Sequence, residues 1–214
     1  LGDVYKRQTF QYNMTDNYRT IEKAVEDVIF KELGSKFINF AYPVENEDDI
    51  KIYLDQLHEI HPDANHHCYA YALGIDGKNH RANDDGEPSG SAGLPIYNQI
   101  LSSEITNVLI VSVRYFGGTK LGIPGLVKAY KYAAQVVLEE ANIVEKFVSK
   151  RVKMVFNYDQ QGIVERNVDR ISGDIKDKHF SDKCMFTISV RESKLEEFIR
   201  MFDEYYQMEI KIID

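Results

Sequence analysis

The feature that most constrains the fold is an apolar run that leads directly into a glycine-rich turn. Residues Asn107 to Tyr115 (NVLIVSVRY) are nearly all apolar or β-branched, which is typical of a strand buried on both faces of a sheet. Gly117 and Gly118 follow. Pro124 comes soon after them, and proline is favoured in the first turn of a helix. The sequence therefore predicts a central strand, a tight turn and a helix that runs to about Ala141.

Other segments predict an α+β fold with two domains. The pattern favours strands at Ser35–Val44 and Cys68–Ile75, helices at Asp48–His61 and Ser91–Ser102, and a polar loop at Asn79–Gly90. From Arg151 onward the order reads βαββαβ: strands Arg151–Asn157, Asp174–Phe180, Cys184–Arg191 and Glu209–Ile213, with helices Gln160–Ile171 and Lys194–Tyr205. That order is typical of a ferredoxin-like domain.

The predicted boundaries follow from this change of pattern. Residues 14–145 form the first domain and residues 146–214 the second. Residues 1–13 are interpreted as an artefactual or disordered leader, because Asp3 to Gln8 (DVYKRQ) resembles a translated transposase end used in sequencing libraries. Met14 is then the expected start.

Composition excludes some classes of function. The net charge of −8 argues against coating of nucleic acid by bulk electrostatics. However, residues 105–135 contain no acid, and they carry the bases Arg114, Lys120, Lys128 and Lys131. This predicts a local positive patch. The two cysteines indicate reduced thiols in a cytoplasmic protein, and the absence of a long apolar run predicts no membrane partner.

The glycine turn has two open interpretations. Gly117 to Gly122 has the glycine spacing of a phosphate-binding P-loop, but Ile123-Pro124 replaces its Lys-Ser/Thr pair, so no nucleoside triphosphate site is predicted. The turn either packs a helix on a strand or binds an anion through free N–H groups. Arg114 and Lys120 favour anion binding, with Gly117, Gly118 and Gly122 as backbone ligands.

An acidic loop precedes the glycine turn. Asp84, Asp85 and Glu87 could hold a divalent cation or act as acid and base groups. The alternative is a turn that caps the next helix, with Ser89 or Ser91 as N-cap. The capping interpretation is favoured.

Histidines supply the remaining candidates. His66 and Cys68 would lie on one face of a strand and His67 on the other, and no second ligand pair stands at zinc spacing. We therefore predict no metal ligand and no cofactor. One alternative is Mg²⁺ on the acidic loop, and another is a metal site at these histidines, which His80 and the Asp84/Asp85 pair could approach only through tertiary folding. No nucleophile motif surrounds Cys68, Ser91 or Ser112, so a hydrolase triad is not predicted.

These motifs resemble the signature of the YigZ/IMPACT family. The likeness rests on five segments: Lys31–Phe37, His66–Tyr71, Asp84–Gly93, Asn107–Val111 and Arg114–Gly122. Ile123-Pro124 departs from the small residues that members more often carry. The resemblance implies a first domain similar to ribosomal protein S5 domain 2, with a left-handed βαβ unit. It implies a second domain similar to the ferredoxin-like fifth domain of elongation factor G.

The resemblance also implies a link to translation. Eukaryotic relatives act in translational control, and binding of nucleic acid or ribosomes is the usual inference for the bacterial type. We therefore expect a non-enzymatic protein that binds RNA, the ribosome or another anion through Arg114–Gly122, with Tyr115 and Phe116 stacking on a base. The alternative is a Mg²⁺-dependent enzyme acting on a phosphorylated small molecule or RNA end. A third hypothesis is a protein-docking face on the second domain.

Overall fold

Residues 16–213 are described by the structure, a computed structural model, and they fall into two units. The first unit is Asn17–Lys146, and the second contains Asp16 and residues 147–213. The expected artefact at Asp3–Gln8 and the expected start at Met14 lie outside the described residues. No helix within residues 16–213 is long and apolar enough to span a membrane.

The first unit is built on a five-stranded antiparallel sheet. Its strand order is β2-β3-β6-β4-β5, and β1 pairs with β7 in a separate two-stranded sheet. The elements are β1 (Asn17–Ile21), β2 (Val25–Glu32), β3 (Ser35–Pro43), α1 (Glu47–Ile60), β4 (His66–Leu73), β5 (Asn79–Asn83), α2 (Gly93–Ser102), β6 (Val108–Tyr115), α3 (Gly122–Glu139) and β7 (Ile143–Phe147).

The central strand β6 separates two apolar cores. Val108 and Ile110 pack in a core with residues of α2 and α3, whereas Leu109, Val111 and Val113 pack with residues of α1. Because side chains alternate along a strand, consecutive apolar residues such as Val108 to Val111 fit a sheet covered on both faces. The prediction of a buried central strand followed by a turn and a helix is confirmed.

The predicted loop Asn79–Gly90 is wrong in its first part. Asn79–Asn83 forms β5, which pairs with β4 at the edge of the sheet. Most of its residues are exposed, so no apolar alternation marks it as a strand. Strands β1, β2 and β7 also have no counterpart in the predicted elements. In parallel α/β sheets, ligands usually bind at the carboxyl ends of the strands. This sheet is antiparallel, so that tendency does not locate a site here.

The second unit confirms the predicted order βαββαβ. Its elements are β8 (Ser149–Phe156), α4 (Gln161–Arg170), β9 (Asp174–Phe180), β10 (Cys184–Arg191), α5 (Leu195–Arg200) and β11 (Glu209–Ile212). The antiparallel sheet has the order β11-β8-β10-β9. Alternate residues of β10 are buried against residues of α4 and α5.

Two details of the second unit bear on the predictions. The helix predicted to reach Tyr205 ends at Arg200, although Phe202 and Tyr205 still pack in the core from the turns that follow. Their apolar spacing therefore indicated burial and not the length of the helix.

Cys184 in this unit and Cys68 in the first are both buried and free, as expected for reduced thiols.

Candidate functional site

A buried ion pair stands at the centre of the candidate site. Arg114, near the end of β6, is only 4% exposed. Its Nη1 donates to Glu87 Oε1 at 2.5 Å, and its Nη2 donates to Ser35 Oγ at 3.1 Å. The Glu87 side chain is 5% exposed. The guanidinium charge is thus offset inside the protein, so Arg114 shapes the site more than it offers free charge to a ligand.

A line of hydrogen bonds extends this pair into the core. The Tyr130 hydroxyl donates to Glu87 Oε1 at 2.8 Å, and Cys68 Sγ lies 3.3 Å from the Tyr130 hydroxyl. Burial raises the pKa of Tyr130 and the pKa of Cys68, so both groups keep their protons at neutral pH. Since the thiolate is the nucleophilic form of cysteine, Cys68 has no nucleophilic role here.

Asp84 holds the acidic loop to the start of α2. Its carboxylate accepts hydrogen bonds from the backbone N–H groups of Gly90, Ala92 and Gly93, at 2.7, 2.9 and 2.9 Å. The N-cap residue is Ala92, which has no side-chain cap. The predicted N-cap at Ser89 or Ser91 is therefore wrong, because a carboxylate from an earlier part of the loop occupies that place.

Replacing Asp84 with alanine is expected to destabilise the first unit by about 2 kcal/mol, since three N–H groups lose their acceptor. Asp84→Asn is the control, because it keeps one acceptor oxygen and should cost less. The measurement is urea unfolding of the full chain, followed by hydrogen exchange of peptides from α2. Equal stability of Asp84→Ala and the wild type would contradict the capping role.

The three carboxylates of the acidic loop do not converge. The Asp85 carboxylate accepts from the His67 backbone N–H at 2.5 Å, and the Asp85 carbonyl oxygen accepts from His66 Nδ1 at 2.7 Å. Glu87 instead faces Arg114. Among residues 16–213, Asp84, Asp85 and Glu87 do not form a group whose ligand atoms lie within 4.8 Å of one another. The geometry gives no support to a Mg²⁺ site shared by these three residues.

The glycine turn, Gly117 to Gly122, packs closely against the hairpin that joins β2 and β3. A Cβ atom on Gly117 would lie 1.8 Å from the Gly34 carbonyl carbon, so only glycine fits. Gly118 and Gly122 have φ values of +85° and +67°, which favour glycine for conformational reasons. The Phe116 N–H donates to Asn65 Oδ1 at 2.7 Å. The turn is thus fixed on several sides.

A cavity of about 360 Å³ lies between the acidic loop and the glycine turn. Its lining residues are His66, Glu87, Pro88, Arg114, Phe116, Lys120, Leu121, Gly122, Ile123 and Leu126. The structure therefore brings six of the sequence-predicted residues to one place. A larger cavity of about 560 Å³, lined by Tyr18, Lys78 and Tyr97 among others, contains no residue of the glycine turn.

The cavity has features that attract an anion. Lys120 is exposed and has no ion pair within the described part of the chain. Helix α3 begins beside it at Gly122, and no side chain from residues 16–213 caps that helix. The Phe116 ring is 44% exposed, with its centre 5.6 Å from the Arg114 guanidinium carbon. Uncapped N–H groups, a free ammonium group and an aromatic face thus meet at one opening.

The lining does not include Asp84, Asp85, Gly117 or Gly118, and two further candidates also lie outside this cavity. Tyr115 belongs to the α1 side of the sheet, where its hydroxyl lies 3.0 Å from His61 Nδ1, so the predicted stacking of Tyr115 on a base at this cavity finds no support. His67 is buried and stacks on His58. Burial lowers the pKa of His67, and the neighbouring His58 lowers it further.

Sequence reasoning missed three residues that build the site. Ser35 bridges Arg114 and the Gly117 N–H, Asn65 holds the turn, and Tyr130 binds Glu87. Helical spacing places Tyr130 on the buried face of α3, but spacing cannot reveal that its hydroxyl meets a carboxylate. Ser35 lies within the signature segment Lys31–Phe37 and Asn65 directly precedes the segment His66–Tyr71, which is the one signal that pointed toward them.

Comparison with known proteins supports a family assignment. The model of the Impact N-terminal domain matches residues 33–138. The Bacillus subtilis protein YvyE, an IMPACT family member, is 30% identical over 191 residues, or 89% of this chain and 88% of that protein. The Escherichia coli IMPACT family member YigZ is 27% identical over 181 residues, covering 84% of this chain and 89% of that protein. A crystal structure of a hypothetical protein, 26% identical, superposes with a TM-score of 0.68 and covers 94% of this chain and 99% of its own.

Proposed function

The chain belongs to the IMPACT family, and from this premise we propose that it is a non-enzymatic, translation-associated protein that binds single-stranded RNA at the cavity beside α3. RNA of the ribosome is included in this class of ligand. A cytoplasmic location, where translation takes place, belongs to the same proposal.

The observation that carries the proposal is the opening formed by Lys120, the uncapped start of α3 and Phe116. A phosphate group accepts hydrogen bonds from helix N-terminal N–H groups and pairs with an ammonium group. An exposed aromatic ring next to it offers a stacking surface for a base. Single-stranded RNA presents both a phosphate and an unstacked base, so it fits the opening better than a simple anion does.

The proposal includes the finer fold relationships that the resemblance implies. The β11-β8-β10-β9 order of the second unit, with β10 antiparallel to both neighbours, supports a ferredoxin-like domain. The first unit would correspond to the S5 domain 2-like domain. In this proposal the sheet of the second unit is available for a protein partner.

The enzymatic alternative has weaker support. Each acidic-loop carboxylate has a protein partner of its own: three N–H groups for Asp84, one N–H group for Asp85, and Arg114 with Tyr130 for Glu87. Carboxylates already used in this way are poorly placed to collect a shared Mg²⁺, which prefers near-octahedral oxygen ligands.

Lys120→Ala is expected to weaken binding of single-stranded RNA by about fivefold, because one charged phosphate contact is lost. The slope of log K against log salt concentration should become shallower by about 0.7. The measurement is fluorescence anisotropy with a labelled oligonucleotide at several salt concentrations. Lys120 is exposed, so its removal leaves the fold intact.

Lys51→Ala is the matched control, because Lys51 is an exposed lysine on α1, on the other side of the sheet. It should bind RNA as the wild type does. If Lys120→Ala and Lys51→Ala bind equally well and with the same salt slope, the cavity is not the RNA site.

A further inference from the structure

Two histidines and an aspartate meet on the α1 side of the first unit, apart from the cavity described above. They are His58 from α1, His67 from β4 and Asp85 from the acidic loop. The potential ligand atoms of these residues all lie within 4.8 Å of one another. They come from three separate elements, and the fold brings their side chains together.

The ring of His58 has one nitrogen available for ligation. Its Nδ1 lies 2.7 Å from the Leu54 carbonyl oxygen, so the Nδ1–H donates there and leaves the Nε2 lone pair free. A hydrogen bond from one ring nitrogen to a backbone carbonyl is the usual support of a metal-binding histidine. His58 itself is exposed, so a metal ion can reach it and its ring can adjust.

His67 has unused capacity in a buried position. It is only 5% exposed, yet its Nε2 has no hydrogen-bond partner among the described residues. Its Nδ1 lies 3.9 Å from Asp85 Oδ2, which is too long for a hydrogen bond. A buried polar side chain normally finds partners. The Leu57 backbone contributes a hydrogen bond to the His67 ring, but Nε2 lies within hydrogen-bonding distance of no described group. A buried ring nitrogen of this kind, beside a carboxylate and a second imidazole, points to a ligand that completes the group.

The donor set selects the class of ion. Two imidazole nitrogens and one carboxylate oxygen are typical of zinc sites with three protein ligands and an open position. Mg²⁺ and Ca²⁺ prefer oxygen ligands throughout. The His58 and His67 rings are stacked, with centres 4.0 Å and planes 21° apart. Because a histidine nitrogen binds a metal ion in the plane of its ring, the exposed His58 ring has to rotate out of this stack when the ion binds.

We propose that His58, His67 and Asp85 form a binding site for a divalent transition-metal ion of the Zn²⁺ type. The ion joins α1, β4 and the acidic loop, and it keeps one coordination position open to solvent or a further ligand. Asp85 connects this site to the loop that carries Glu87. The proposal does not depend on RNA binding, because the two sites use different side chains.

The test is calorimetric titration of the full chain with Zn²⁺ and, in parallel, with Mg²⁺, in the absence of RNA. We expect one Zn²⁺ per chain and no binding of Mg²⁺. His58→Ala removes an exposed ligand, and Asp85→Asn removes the carboxylate charge while keeping an acceptor oxygen and tolerance of the φ of +41°. Each variant should weaken Zn²⁺ binding by at least about tenfold.

His80→Ala is the matched control, since His80 is an exposed histidine of the same unit that stacks on Tyr97. It should bind Zn²⁺ as the wild type does, and Zn²⁺ should raise its Tm but not that of His58→Ala. The proposal is overturned if the wild type lacks a one-to-one Zn²⁺ site, if Mg²⁺ binds as well as Zn²⁺, or if His58→Ala and Asp85→Asn bind Zn²⁺ like the wild type.

Discussion

Arg114→Ala is expected to lower the free energy of unfolding of the first unit by about 3–5 kcal/mol, because it leaves Glu87 as a buried charge without its cationic partner. Both side chains are about 95% buried, so water cannot replace the guanidinium. The measurement is urea unfolding of the full chain, read by hydrogen exchange of peptides from β3 and β6. This readout follows one unit, which matters because two units need not unfold together.

Arg19→Ala is the control for this experiment. Arg19 pairs with Glu104 at 3.4 Å, but the two side chains are 48% and 82% exposed, so the loss should be about 0–1 kcal/mol. A second variant, Arg114→Ala with Glu87→Gln, removes the unpaired charge and should recover part of the stability. The role given to the pair does not hold if Arg114→Ala costs no more than Arg19→Ala.

Gly117→Ala is expected to destabilise the first unit by about 3 kcal/mol, at the upper end of what overpacking usually costs. The added Cβ would lie 1.8 Å from the Gly34 carbonyl carbon and 2.3 Å from the Ser35 nitrogen. These are backbone atoms, so the contact can be relieved only if the hairpin moves away from the turn. Thermal unfolding with the same hydrogen-exchange readout measures the effect, and RNA affinity should fall with it.

Gly118→Ala separates packing from backbone conformation. A Cβ on Gly118 would meet nothing within 4 Å, but its φ is +85°, so the variant carries only a conformational cost of about 1–2 kcal/mol. Gly117→Ala should therefore be clearly the less stable of the two. The opposite order would mean that the approach of Gly34 and Gly117 is not what requires glycine at position 117.

Much of the architecture could be predicted from the sequence, because the cores leave a periodic signal. The nearly continuous apolar run of β6 indicates burial on both faces, and the alternation along β10 indicates burial on one. Edge strand β5 has neither signal, since most of its side chains face water. The shortened α5 shows a second limit, because apolar spacing indicates which residues are buried but not which backbone conformation buries them.

Six residues that line the candidate site could be predicted from the sequence, but their pairings could not. Arg114 and Glu87 were both identified, yet as an anion ligand and a candidate metal ligand. Their mutual contact across 27 positions could not be inferred from either segment alone. Asp84 and Asp85 are neighbours whose carboxylates serve different partners. His58 was not singled out at all, because a lone histidine on an amphipathic helix carries no sequence signal of its partners.

The compensated charge of Arg114 has a kinetic consequence. With its guanidinium matched by Glu87, the cavity presents Lys120 as its one unpaired lysine or arginine among the lining residues. A complex held by so few charge contacts dissociates quickly, and its residence time shortens further as salt rises. Under the RNA-binding proposal, such a site would suit repeated sampling of many RNA segments, and long occupancy would require a second point of attachment acting at the same time.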